Sequence, residues 1–177
     1  MFRKEVDSDI NLVFLQESLT DDLYELVAHD REYLNKWMPW SPLIKTAEDT
    51  RAFINKSIKD FAEGKSMVCA IEYQHRIVGV ISFNKIHKHL KKVEIGFWIS
   101  SSYQGHGIVT RACRQMIKHA FTNLGMEKIQ ISAATGNAAS RNVCLRLGMT
   151  LEGVITNAEN LHGKIVNHAV YGLAKEG

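Results

Sequence analysis

Tyr103-Gln104-Gly105-His106-Gly107-Ile108 joins two segments of different period, and its reading decides the fold. Before it, Val93-Glu94-Ile95-Gly96-Phe97-Trp98-Ile99 alternates with a period of two, the pattern of a strand. After it, Val109, Ala112, Cys113, Met116, Ile117, Ala120, Phe121 and Leu124 fall on one helical stripe. A glycine-containing turn between strand and helix leaves backbone N–H groups unpaired and close together. The positive end of the helix dipole points the same way, which makes a site for a phosphate or pyrophosphate. Short glycine motifs also serve as plain strand-to-helix connections, so the loop alone does not fix a ligand.

Spacing removes two familiar ligands in their usual cradles. A dinucleotide loop needs a third glycine where Thr110 stands. About twenty residues on, where an acidic residue holds the ribose, only Glu127 at a strand start is available. No Gly-Lys-Ser/Thr follows the loop, which excludes a Walker-type site.

The 177 residues predict one domain over 1–177, and 45% hydrophobic content is enough for a sizeable core. Lys plus Arg number 22 against 19 Asp plus Glu, a net charge of +3 with the basic residues scattered. That balance is too mild to predict nucleic-acid binding. Cys69, Cys113 and Cys144 are far apart and form no CxxC pair, which suits a reducing cytoplasm. The first residues lack the apolar core of a signal peptide, and no apolar run reaches membrane length, so a cytoplasmic protein is expected. His87 and His89 read as exposed loop histidines; nothing nearby completes a metal site, and none is expected.

Along the chain, Leu12 to Gln16 predicts a first strand, and Thr20 a helix cap ahead of Leu23, Leu26 and Val27. Trp37-Met38-Pro39-Trp40-Ser41-Pro42 breaks the helical region. Thr46 and Asp49 make a capping box for a second helix, with Ile54, Ile58 and Phe61 on its inner face and Gly64 at its end. Met67–Tyr73 and Arg76–Phe83 flank a Gln74-His75 turn, and Val93–Ile99 follows. After the long helix, Gly125 ends it, Lys128–Ala133 is a strand, and Asn137 caps a short helix through Arg146. Leu151–Asn157 and Ile165–Leu173 close the chain as a strand pair. The order is that of an α+β layer architecture with helices on the faces of a mixed sheet.

Several of these groups together resemble the GNAT acyltransferases, which use acetyl-CoA. Gln104-Gly105-His106-Gly107 looks like the family's pyrophosphate loop, between its fourth strand and third helix. Asn137-Ala138-Ala139-Ser140 and Leu147-Gly148-Met149 resemble the block that borders the pantetheine arm. The stretches Glu94-Ile95-Gly96-Phe97-Trp98, Leu151-Glu152-Gly153 and Ala158-Glu159-Asn160-Leu161-His162-Gly163 are similar to the RimJ/RimL branch, which acetylates N-termini of ribosomal proteins. The resemblance implies a mostly antiparallel, twisted sheet of about seven strands with splayed central strands. It also implies a homodimer, common in the branch.

For acetyl-CoA, the resemblance implies contacts from Phe97, Trp98 and Ile99, from Gln104, Gly105, His106, Gly107, Ile108, Val109 and Thr110, and from Asn137 and Ser140. A partly protonated His106 would make phosphate affinity depend on pH near neutrality. The oxyanion donor is implied near Trp98 and Ile99. The family's usual acid, a tyrosine seven residues after the asparagine, is Cys144 here; the branch implies Ser140 instead. Glu159 is implied as the general base, with Glu94 as the alternative found in other members. Trp37 and Trp40 suit an acceptor groove, and core anchoring explains them equally well. The acceptor is expected to be a protein N-terminus, with a small amine as alternative. A third reading is a protein that binds acetyl-CoA without turnover.

Overall fold

Alternation and turn chemistry build the sheet. The computed structural model describes residues 2–177. Its strands are β1 (Arg3–Glu5), β2 (Ile10–Phe14), β3 (Met67–Tyr73), β4 (Arg76–His87), β5 (Lys92–Ile99), β6 (Lys128–Ala134), β7 (Thr150–Leu161) and β8 (Lys164–Ala174). They form one eight-stranded sheet in the order β1-β2-β3-β4-β5-β6-β8-β7, antiparallel except for β5 beside β6. Gln74 and His75 both take positive φ, the two-residue turn whose twist matches a hairpin.

Eight strands stand where about seven were expected. The extra one, β1, is three exposed residues with no apolar alternation to reveal it. β2 starts two residues before the expected Leu12, because Asp7 Oδ1 accepts from the amides of Asp9 and Ile10 and sets the turn there. β4 and β7 also run further than expected, to His87 and Leu161, leaving only His162-Gly163 as the last turn.

Five helices cover the faces: α1 (Thr20–His29), α2 (Arg31–Asn35), α3 (Ala47–Ala62), α4 (Ile108–Asn123) and α5 (Ala138–Arg146). The Thr46–Asp49 capping box is present in both directions at the start of α3. Thr20 is not a cap. A 3₁₀ turn over Glu17–Leu19 runs straight into α1, and the Thr20 hydroxyl donates back to the Glu17 carbonyl at 2.6 Å. Phe61, expected inward, is 45% exposed and meets Phe14 edge-on, with ring centres 4.7 Å apart.

Strand alternation gives the sheet two cores. On one face Ile71, Ile81, Phe83, Val93 and Ile95 pack under Ala112, Cys113, Met116 and Ala120 of α4. On the other, Val13, Ala70 and Val80 pack under Leu23 of α1 and Ile54 of α3. All three cysteines are buried and free. Burial pushes their thiols up, Cys144 to about 11 and Cys69 to about 12, so they stay protonated at neutral pH. Among the described residues no helix is long and apolar enough to cross a membrane, and no cluster of three metal-ligating side chains occurs.

Candidate active site

The parallel pair opens. β5 and β6 are paired only at Lys92↔Lys128, Val93↔Ile129 and Glu94↔Gln130; beyond Glu94 the two strands part. On its other edge β5 stays paired to β4 as far as Ile99↔Gly79. The Ser100 amide donates to the Val78 carbonyl at 2.8 Å, in register with that ladder. Alternation then turns the amides of Trp98 and Gly96 toward β4, and those of Ile95, Phe97 and Ile99 into the opening. The Trp98 amide is thus not the donor that faces the gap.

The 103–108 loop closes one end of this opening. Gly105 and Gly107 take φ of 78° and 69°, a left-handed region that favours glycine. Gly107 is the N-cap of α4, and no side chain caps the helix, so its first amides are free for an anion. Arg111 fastens the loop from within α4: it donates to the His106 carbonyl at 3.2 Å and pairs with Asp7 at 2.8 Å. His106 Nδ1 lies 3.2 and 2.9 Å from the carbonyls of Tyr103 and Gln104. Carbonyls only accept, so Nδ1 carries the proton and the ring is turned back on its own loop.

Burial works against the Asp7 carboxylate, but the amides of Asp9 and Ile10 and the Arg111 guanidinium outweigh it and hold its pKa below 3.8. A carboxylate with a lowered folded pKa stabilises fully above its unfolded value, and that stabilisation is lost as pH falls through the folded one. Asp7→Asn should therefore be less stable than the parent at pH 6, with the gap closing below pH 3.8 in chemical denaturation.

Two cavities meet at the opening. The first, of about 440 Å³, runs along the loop and the start of α4. Phe97, Trp98, Ile99, Gln104, Gly105, Gly107, Ile108, Val109, Thr110, Asn137 and Ser140 all line it; His106 does not. The second, of about 580 Å³, lies on the α1/α3 side and holds Trp37, Trp40, Glu159 and His168. Trp37, Met38, Phe97, Trp98, Asn137 and Ser140 border both. Asn137 Oδ1 accepts from the Ser140 amide at 3.3 Å, capping α5 and fixing Ser140 in its first turn at this junction. Trp40 sits 5.8 Å from Trp98, ring centre to ring centre. Glu159 Oε1 is 3.5 Å from His168 Nε2, and the tip of the β7–β8 hairpin reaches α2, where His162 donates to the Asn35 carbonyl at 2.8 Å.

A split sheet beside an uncapped helix start, with a cavity on either side, is a place for a phosphate-bearing donor to meet an acceptor. The family model for the acetyltransferase (GNAT) domain matches residues 10–150. The chain belongs to the GNAT acetyltransferases. This GNAT chain is 30% identical over 158 residues to the ribosomal-protein-serine acetyltransferase of Escherichia coli (strain K12), covering 89% of this chain and 88% of that one. Among solved structures it resembles RimL, a ribosomal alpha-N-protein acetyltransferase in complex with coenzyme A, at TM-score 0.94 and 27% identity, covering 98% of each. It also resembles the microcin self-immunity acetyltransferase MccE in complex with acetyl-CoA and AMP, at TM-score 0.93 and 31% identity, covering 96% of this chain and 94% of that one.

Within the GNAT fold the two candidate carboxylates stand in different places. Glu159 lies in the second cavity, on the rung (Glu159↔Val166) where β7 regains its register with β8 after the irregular stretch from Ile155, rather than in a free turn. Glu94 lines neither cavity. It is held on the last rung of the β5–β6 pair, 2.7 Å from His87 Nε2 and accepting from Gln130 Nε2 at 3.2 Å. Its partners are not Lys91 or Lys92, which turn to Glu127 and Gln130. His87 is accordingly half-buried at the end of β4 and not an exposed loop residue. Glu94→Gln keeps the shape and the bond from Gln130, so kcat should change less than about threefold, where loss of a general base costs about 100-fold or more. Initial rates on the variant check this.

Cys144 is wholly buried on the core face of α5 and lines neither cavity. Sequence reasoning missed Tyr33 and Arg146 in the first cavity and Ser82, Asn84, Ser132 and His168 in the second. Tyr33 accepts from Gln104 Nε2, and burial, reinforced by the nearby Asp30 carboxylate, raises its pKa so that the phenol stays neutral. Arg146 reaches Thr110 Oγ1 at 3.3 Å. None carried a signal, because each enters the site through a fold contact between elements distant in sequence.

Proposed function

We propose that the protein transfers the acetyl group of acetyl-CoA to the N-terminal α-amine of another protein, with ribosomal proteins as the first candidates. The observation that carries this is the meeting of two cavities at Ser140, Phe97 and Trp98, with the uncapped α4 start on one side and Glu159 on the other. The free amides of α4 and the open glycine loop suit a pyrophosphate, where no side chain competes for the site. Acetyl-CoA, when bound, supplies an acyl thioester.

The residues divide the remaining work. Trp37, Trp40 and the junction residues place the amine, which removes much of the entropic barrier. Glu159 takes a proton from the amine, and His168 at 3.5 Å gives that proton a second basic site. An α-amine has a pKa of about 7.7–8.0, so one carboxylate suffices, whereas a lysine at about 10.4 needs more. The amides of Phe97 and Ile99 face the charge that builds on the carbonyl oxygen. Ser140, on both cavities, is the donor to the departing thiolate. Glu94, outside both, is not the base.

The likeness to relatives named for ribosomal proteins supports the acceptor class. The reaction belongs in the cytoplasm, consistent with three buried free thiols. Leu151, Val154, Ile155 and Ile165, each about half exposed on the β7–β8 hairpin, are the surface for the expected homodimer. Initial-rate kinetics with acetyl-CoA and a peptide acceptor test direct transfer. Intersecting double-reciprocal lines are expected; parallel lines, the sign of an acetylated enzyme, would overturn it.

A further inference from the structure

One polar group in the acceptor cavity is held in place by three separate features. β4 and β5 keep register to Phe83↔Ile95 and then slip, so that Lys85 faces Glu94. Asn84 is the extra residue, and a bulge of this kind re-aims its side chain. It joins Ser82 and Gly96 on the wall of the second cavity. Gly96 leaves it room, since a Cβ there would stand 2.2 Å from Asn84 Nδ2. The buried Ser82 hydroxyl donates to Asn84 Oδ1 at 2.5 Å. With its oxygen engaged by Ser82, the amide lies with its NH₂ over Gly96.

We infer that Asn84 Nδ2 is the recognition donor for a main-chain carbonyl of the acceptor, selecting α-aminoacyl chains over plain alkyl amines. This rests on the reading that the acceptor is a peptide α-amine. A neutral donor suits a neutral oxygen, and a backbone carbonyl is the one such group that every peptide N-terminus carries whatever its side chain. The Asn84 NH₂, a donor, is also a poor partner for the cationic amine of a polyamine, which has only donors to offer. Recognition by a hydrogen bond penalises a ligand that lacks the group more than an apolar wall does. Ser82 acts through Asn84 and is a positioning residue.

The test compares kcat/KM for peptides with free Ser, Ala, Met or Thr N-termini against phenethylamine, which has no carbonyl. Asn84→Ala is expected to lower the peptide-to-phenethylamine ratio about tenfold through the peptide KM, with acetyl-CoA affinity unchanged. Asn84→Asp keeps the shape and the bond from Ser82 but has no donor, and should do the same. A ratio within twofold of the parent in both variants overturns the inference, whether both rates fall or neither does. A parent enzyme that acetylates phenethylamine and none of the peptides overturns the α-amine reading itself, and this inference with it.

Discussion

Glu159→Gln is expected to lower kcat by about 100-fold or more while leaving acetyl-CoA affinity unchanged. The carboxylate lies in the second cavity only, so its loss removes a proton acceptor without touching the cofactor side. Gln keeps the volume and the contact with His168 but takes up no proton at neutral pH. Raising the pH should recover part of the lost rate, because more of the α-amine is then already neutral. CoA release followed with a peptide acceptor, with calorimetry of acetyl-CoA binding, separates the two effects. A fall in both kcat and affinity would mean Glu159 holds the fold of the junction together, and no loss of kcat would remove it from the mechanism.

Gly107→Asp is expected to weaken acetyl-CoA binding at least 100-fold and to leave the protein folded. The position is the N-cap of α4, where the first helix amides have no side-chain acceptor. A carboxylate there places negative charge at the proposed pyrophosphate site, and competes for the same amides. A Cβ at this glycine meets no atom within 4 Å, so the conformational cost is the left-handed φ alone, about 1 kcal/mol, and least for Asp or Asn. Gly107→Asn, neutral and equally tolerant of that φ, should lose far less affinity. Calorimetry on both variants, with thermal melts as the folding control, reads the difference.

The parts of this fold legible in the sequence are those encoded locally. The alternation of Val93–Ile99, the stripe on α4, the Thr46–Asp49 box, the Asn137 cap and the turn at Gln74-His75 all rest on neighbours within four residues, and all appear. What stayed hidden depends on distant contacts. β1 is a strand only because β2 offers it an edge. The different settings of Glu94 and Glu159 follow from Gln130 and His87 closing around one and a cavity opening around the other. The resemblance of the 137–140 block pointed to Ser140, and the structure adds that its junction position and the burial of Cys144 share one cause, the face that α5 turns to the core. Asn84 was invisible because a bulge is a mismatch between two strands, and neither strand records it alone.

The most direct measurement is mass spectrometry of a peptide panel incubated with the protein and acetyl-CoA. The panel holds free Ser, Ala, Met and Thr N-termini, N-terminally blocked peptides containing lysine, and common small amines. The account predicts a single added acetyl group on the α-amine of one or more free peptides, and none on the blocked lysine peptides. Acetyl groups found only on lysine side chains or small amines would contradict it.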